Sequence, residues 1–472
     1  DSDMNQCRNV FIPTRAVAWS RAQSCLRGFG SVVSSSAATA GKVFDSRTLF
    51  CQFGFYQFGF CQVGPGYRIL GMKPAGFALL FACAIAALCA DKSGDPSGAG
   101  MDATRLARIP IRMQEFVDAG KAAGIVTLVA RHGKVASLDA VGYQELETKT
   151  PMRADTIFRI ASLTKPITCA GIMALVDEGR LSVLDPVEKY LPEFKGQKAN
   201  GCGTGSGYDC ASVTPSRPIN ILDLMTHTSG LPASFPPARG TAPGSLAELV
   251  ISGARLTLLF QPGTEWNYSN VGYATLGRII EVAGKKPYDQ FLAERIFEPL
   301  HMSDTYFFVP AEKQKRIAAV YTDDNGSLKR ATSVGASVPK IPAPEGGILS
   351  TAADLFRFNQ MMLNKGMLDG QRVLSAAAVE LMTTSLTGDI KAGFAPGVGH
   401  GLGYEVVREA KGTYRYNSIG SFVKGGAYRT YEFVDPAKDL VGLILLQRTN
   451  GGGDVADEIN IFAAMAAAAI EH

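Results

Sequence analysis

A serine three residues ahead of a lysine, Ser162-Leu163-Thr164-Lys165, stands at the mouth of a nearly all-apolar stretch. On a helix that spacing puts hydroxyl and amine on one face, one turn apart and within hydrogen-bond reach. A serine hydroxyl is a weak nucleophile until its proton is removed. A lysine removes it when desolvation or a nearby cation keeps the amine neutral. The tetrapeptide alone proves little, because average composition yields about one or two Ser-x-x-Lys matches in a chain of this length. Three occur. Ser337-Val338-Pro339-Lys340 lies in a Gly- and Pro-rich loop where the proline opposes a shared helical face. Ser421-Phe422-Val423-Lys424 alternates like a strand, which sends Ser421 and Lys424 to opposite faces.

Ser162 alone has the right surroundings. Pro166 is tolerated only in the first turn of a helix and so sets its start near Ser162. From Ile167 through Val176 the segment is apolar on all sides, until Glu178-Gly179-Arg180 stops it, and such a helix is buried. Its N-terminus holds Ser162 rigidly and favours negative charge developing there. Two further groups could complete a site. Tyr268-Ser269-Asn270 forms a short loop before a helix, from which Tyr268 could relay the serine proton and Asn270 could hold Lys165 or a substrate carbonyl. In Lys424-Gly425-Gly426-Ala427, on a late strand, the glycines let a substrate lie against the strand edge, and a backbone N–H could supply half of an oxyanion hole. Taken singly, a Tyr-x-Asn is usually a loop and a Gly-Gly in a strand usually a bulge. His227, in Asp223-Leu224-Met225-Thr226-His227-Thr228-Ser229-Gly230, is expected to be structural, in a buried turn behind the site.

The elements that must position these residues follow in order. A helical pattern (Leu106–Ala119, interrupted by Pro110) precedes two strand-like runs, Ile125–Arg131 and Val135–Val141, joined by a turn at His132-Gly133-Lys134. After the Ser162 helix come mostly helical segments: a capped start at Asp185-Pro186, then Asn220–His227, Leu246–Gly253, Tyr273–Ala283, Tyr288–Phe297, Thr351–Lys365 and Ser375–Leu386. Strand patterns return at Gly403–Arg408, Ser421–Lys424, Ala427–Val434 and Leu440–Leu446, followed by an Ala-rich helix from Asp454 to Ile470. Strands at both ends with helices between imply that the ends pair. The architecture expected is one antiparallel sheet flanked by terminal helices, with a helical domain inserted after the first strands and the active site in the cleft.

The 472 residues, 46% of them hydrophobic, can bury a large core. The formal charge of +4 comes from residues 1–90, because residues 91–472 hold 39 basic and 40 acidic side chains. Nothing in that balance calls for nucleic acid or an anionic surface. Residues 1–71 lack amphipathic periodicity and read as upstream or disordered sequence. Met72-Lys73 followed by the apolar run Ala75–Ala90 has the form of a signal peptide over 72–90, too short for a spanning helix, so a secreted or periplasmic location is expected with no membrane span in the mature chain. Of the three cysteines in the body, Cys169 falls on the buried helix, and Cys202 and Cys210 bracket a polar loop, where a disulfide and two free thiols both remain open. No Cys-x-x-Cys or His-Glu-x-x-His pattern occurs, so neither a metal nor another cofactor is expected. No Gly-x-Ser-x-Gly occurs either, which excludes an α/β-hydrolase elbow as the source of any esterase activity.

The order and spacing of Ser162-x-x-Lys165, Tyr268-x-Asn270 and the Lys424-Gly425-Gly426 box closely resemble the serine β-lactamase and penicillin-binding protein superfamily. Three stretches, Ser162 to Thr168, Asp223 to Leu231 and Gly425 to Thr430, look more like the family VIII carboxylesterases and the related class C β-lactamases. The resemblance implies an α+β, β-lactamase-like fold, with a sheet domain from 102–160 plus 398–472 and a mainly helical domain from 161–397. It implies that Ser162 is acylated, that Lys165 and Tyr268 form its proton-transfer pair, and that the N–H groups of Ser162 and Ala427 make the oxyanion hole. Asn270, Lys424, Gly425 and Gly426 would contact the substrate. Lys424 departs from the tryptophan or histidine common in family VIII and matches the penicillin-recognising Lys-Thr-Gly box, although Gly425 replaces its hydroxyl residue. The expectation is therefore a hydrolase of short-chain carboxylic esters with β-lactam hydrolysis left open. The alternatives are a class C-like β-lactamase or D-peptidase, and a penicillin-binding sensor or scaffold without turnover.

Overall fold

The computed structural model describes residues 94–471 apart from 204–209, 238–242, 333, 335–339 and 450–456. The segments 1–71 and 72–90 discussed above, and most of the Ser337–Lys340 match, lie outside the described residues.

An eight-stranded sheet forms the frame. Its strands are β1 (Gly124–Arg131), β2 (Lys134–Glu145), β3 (Thr150–Pro151), β4 (Val398–His400), β5 (Glu405–Val407), β6 (Phe422–Gly425), β7 (Tyr431–Asp435) and β8 (Leu440–Leu445), in spatial order β4-β5-β6-β7-β8-β1-β2-β3. Every pairing is antiparallel, and the two chain halves join where β1 meets β8, from Val126↔Leu445 to Arg131↔Leu440. Both central strands are buried along nearly their whole length, apolar but for Thr127 and Arg131 of β1, because both faces are covered. Val126, Leu128, Leu443 and Leu445 point into the core shared with the inserted helices, while Ile125, Val129, Leu440 and Ile444 point into a second core. Residues of helices α1 (Arg108–Asp118) and α5 (Asp457–Ala468) close that second core. Gly442 on β8 is small for a reason: a Cβ there would lie 2.3 Å from the Phe433 ring of β7.

On the other face lie α2 (Thr164–Asp177), α3 (Asn270–Gly284) and α4 (Ala352–Leu363). Every residue of α2 from Thr164 to Leu175 is buried, as its apolar circumference demands. Three of the boundaries that differ from expectation have a local cause. The N-terminal helical pattern is two helices, Ala103–Leu106 and α1, broken at Ala107 so that Pro110 falls in the first turn of the second, where its missing N–H costs nothing. Asp185-Pro186 opens only a single 3-10 turn, Val187–Lys189. The strand expected from Ala427 begins at Tyr431, because residues 426–430 make a tight turn in which Gly426 N–H donates to Thr430 O at 2.7 Å. Among the described residues no helix is long and apolar enough to cross a membrane.

Candidate active site

Ser162 lies in a 3-10 turn, Ala161–Leu163, that runs straight into α2, so it precedes the α-helix proper and projects from its mouth. The approach is strained: Ala161 holds φ +48°, a left-handed conformation unfavourable for a residue with a Cβ. Neighbours on both sides hold it. Ile160 N–H donates to Ile348 O at 3.1 Å, and Thr430 Oγ1 donates to Ile160 O at 2.9 Å. Gly426 presses against the same segment, and a Cβ on it would lie 2.6 Å from Ile160 O and 2.2 Å from Thr430 Oγ1. A glycine is required there by close approach.

Lys165 has its amine within 3.3 Å of Ser162 Oγ, 2.9 Å of Asn270 Oδ1 and 2.6 Å of the Glu345 carbonyl oxygen. Its side chain is wholly buried, and burial first, then the charge of Lys424, holds its pKa well below the ordinary lysine value. Tyr268 OH donates to Ser162 Oγ at 2.8 Å. The Lys165 and Lys424 nitrogens lie 4.6 and 5.1 Å from the centre of the Tyr268 ring. Lys424 itself is buried on β6 opposite Glu432 of β7, whose carboxyl is pushed by burial up to about 8.

Ser269 makes the Tyr268 loop rigid. It is the N-cap of α3: its Oγ accepts from Gly272 N–H at 3.0 Å and donates to Pro232 O at 2.7 Å. Asn270 is consequently the first residue of α3, aimed back at Lys165. Ser269 N–H donates to Nδ1 of His227 at 3.0 Å, so the imidazole proton must sit on Nε2. The His227 ring is 4.4 Å from that of Tyr268, wholly buried, and kept neutral by burial and then by His400. His227 thus supports the Tyr268 loop from behind, and no hydrogen bond links it to Ser162.

The structure brings Ser162, Lys165, Tyr268 and Asn270 into one hydrogen-bonded group, with Lys424 against the Tyr268 ring and Gly426, next to Gly425 at the end of β6, packed on Ile160 and Ala161. Ala427 sits exposed on the β6–β7 turn, and among the described residues neither its N–H nor that of Ser162 donates to a backbone acceptor. Ser421 is buried with Val423 on the opposite face of β6, apart from this group. Sequence reasoning missed the Glu345 carbonyl, Thr430, His400 and Phe394. The first acts through a backbone atom, which no residue type announces, and the others reach the site through tertiary contacts alone.

A family model described as Beta-lactamase matches residues 112–466. Protein Rv1367c of Mycobacterium tuberculosis (strain ATCC 25618 / H37Rv) is 37% identical over 362 residues, covering 71% of this chain and 88% of its own length. Esterase EstB of Burkholderia gladioli is 33% identical over 267 residues, covering 53% of this chain and 63% of its own length. Among solved structures, EstCE1, described as a hydrolase with promiscuous acyltransferase activity, superposes with a TM-score of 0.65 at 24% identity, covering 77% of this chain and 98% of that one, a likeness of fold.

Proposed function

The chain belongs to the Beta-lactamase family of serine hydrolases, and from that premise we propose that it is a carboxylesterase in which Ser162 is acylated by short-chain esters. The observation that carries the reading is the set of partners around Lys165. Two of its three neighbours, Asn270 Oδ1 and Glu345 O, can only accept, and they are the two closest. A neutral amine has two hydrogens and one lone pair. With both hydrogens given to those oxygens, the lone pair is left facing Ser162 Oγ, the arrangement a general base requires. Burial and Lys424 both favour that neutral form.

In this mechanism Ser162 Oγ attacks the ester carbonyl, and its proton passes to the Lys165/Tyr268 pair. The oxyanion is met by the N–H groups of Ser162 and Ala427. Tyr268 then delivers the proton to the departing alkoxide, and water attacks the acyl-enzyme with the same pair as base. The likeness to esterase EstB supports an ester substrate. Lys424 favours a second reading, β-lactam hydrolysis, since its amine lies against the ring of Tyr268 and, when protonated, can hold a drug carboxylate. We also read the protein as exported, a proposal supported by the disulfide that joins Cys202 to Cys210.

The test is initial rates on p-nitrophenyl butyrate and on nitrocefin, with intact mass after each, for the wild type and Ser162→Ala. Fast ester turnover that Ser162→Ala abolishes, with little nitrocefin hydrolysis, is the expected result. Ester hydrolysis that survives the substitution would overturn the nucleophile, and comparable turnover of both substrates would favour the second reading.

A further inference from the structure

Tyr268 is one ring of an aromatic group that the mechanism leaves largely unused. Phe394 lies 5.1 Å from it, centre to centre, at 56°, and Trp266 lies 5.5 Å from Phe394 at 84°, an edge-to-face contact. His400 backs Trp266 at 6.0 Å. Phe394 is 60% exposed, although its neighbour is the residue whose hydroxyl touches Ser162. An exposed phenylalanine is unremarkable alone, whereas one stacked on a reactive tyrosine offers bare apolar surface to whatever that tyrosine serves.

The loop that carries Phe394 is held in place. Its N–H donates to Oε2 of Glu405, a buried residue of β5, at 3.4 Å. The preceding Gly393 takes φ +82°, and a Cβ on it would lie 2.4 Å from Val398 Cγ2 on β4. The ring is therefore presented by the edge strand β4 and its neighbour β5.

We propose that Phe394, backed by Trp266, is a specificity-determining wall for the leaving alcohol, and that it favours esters of aromatic or bulky apolar alcohols. The proposal rests on the esterase reading of Ser162. It follows from where the proton must go. As the Ser162 Oγ–acyl bond forms and the acyl–alkoxide bond breaks, the serine proton travels through the Lys165/Tyr268 pair to the alkoxide oxygen, so the alcohol departs on the Tyr268 side. The acyl oxygen points toward the Ser162 and Ala427 N–H groups. A ring packed on Tyr268 meets the alcohol rather than the acyl chain.

Benzyl acetate and ethyl acetate leave the same acetyl-enzyme and differ only in the alcohol. The ratio of their kcat/KM values is measured for the wild type, Phe394→Ala and Phe394→Tyr, with intact mass reporting acetylation of Ser162. Phe394→Ala should lower the benzyl-to-ethyl ratio about tenfold, the scale of losing one aromatic contact with its buried area, and Phe394→Tyr should keep it within about twofold. An unchanged ratio in Phe394→Ala overturns the proposal. So does a loss that instead follows the acyl group when ethyl phenylacetate is compared with ethyl acetate. Absence of both turnover and acetyl adduct in the wild type would instead remove the esterase reading on which the proposal stands.

Discussion

Lys165 is asked to do two incompatible things, to be buried with only the nearby Glu345 carboxyl to offset a charge and to stay ready to take a proton. The stability consequence has a definite sign. Its folded-state pKa is depressed, so between that value and the unfolded lysine value the unfolded chain binds more protons, and stability rises with pH across the window. Lys165→Met, similar in length and free of the charge penalty, should therefore raise the denaturation midpoint, and by more at pH 6 than at pH 10, while abolishing ester turnover. Matched urea titrations at the two pH values check this. Catalysis titrates through the same group. kcat/KM should rise with pH as Lys165 loses its proton, and Lys424→Gln, by removing the second cause of the depression, should move that limb to higher pH. A limb that stays in place would mean that Lys424 does not tune the base. Tyr268→Phe removes the proton relay and leaves the ring stack with Phe394, so kcat should fall by about 10²- to 10⁴-fold with the fold intact by circular dichroism.

At the scale of elements, the β6–β7 turn and the Ser162 turn brace each other, and neither holds its shape alone. Gly426→Ala forces a methyl against Thr430 Oγ1 and Ile160 O, which should cost about 1–3 kcal/mol. Because the displaced segment carries the strained Ala161 next to the nucleophile, the variant should lose more activity than stability. Thermal melts read beside acylation rates check this. The same mutual dependence decides what the sequence makes legible. The α2 helix could be read locally, since its apolar circumference, Pro166 and the Gly179 stop all lie within one short stretch, and the pairing of Ser162 with Lys165 follows from helical spacing. Tyr268 and Asn270 were legible as a loop ahead of a helix and through the resemblance of their Tyr-x-Asn pattern, although the Ser269 cap starts that helix at Asn270 rather than Tyr273. The 3-10 turn, the start of β7 and the place of Phe394 were not. The Ser162 turn is set by distant partners, Thr430 and Ile348 on the Ile160 backbone, the start of β7 by the Gly426–Thr430 turn that packs on it, and Phe394 by Glu405, eleven residues on and across a strand. Local preference carries no trace of such contacts.

Across the whole molecule, the bond between Cys202 and Cys210 closes a small loop in the inserted helical region. In a chain-entropy account a loop of that length is worth about 2–3 kcal/mol, so dithiothreitol should lower the melting temperature by a few degrees, a shift that Cys202→Ser should reproduce without reductant. If neither treatment moves the melt, the bridge contributes nothing to the global transition. A larger constraint lies in the sheet. The β1–β2 hairpin forms from adjacent residues, but its other neighbour, β8, lies about 300 residues further on. At roughly 5–20 residues per second, a ribosome needs on the order of 15–60 s to make the intervening chain. Throughout that interval one edge of β1 has no partner, and the apolar residues that will face both cores have no sheet to cover. The sheet cannot close until that last strand is made, and until then the unpaired edge of β1 is open to pairing with any other strand that reaches it.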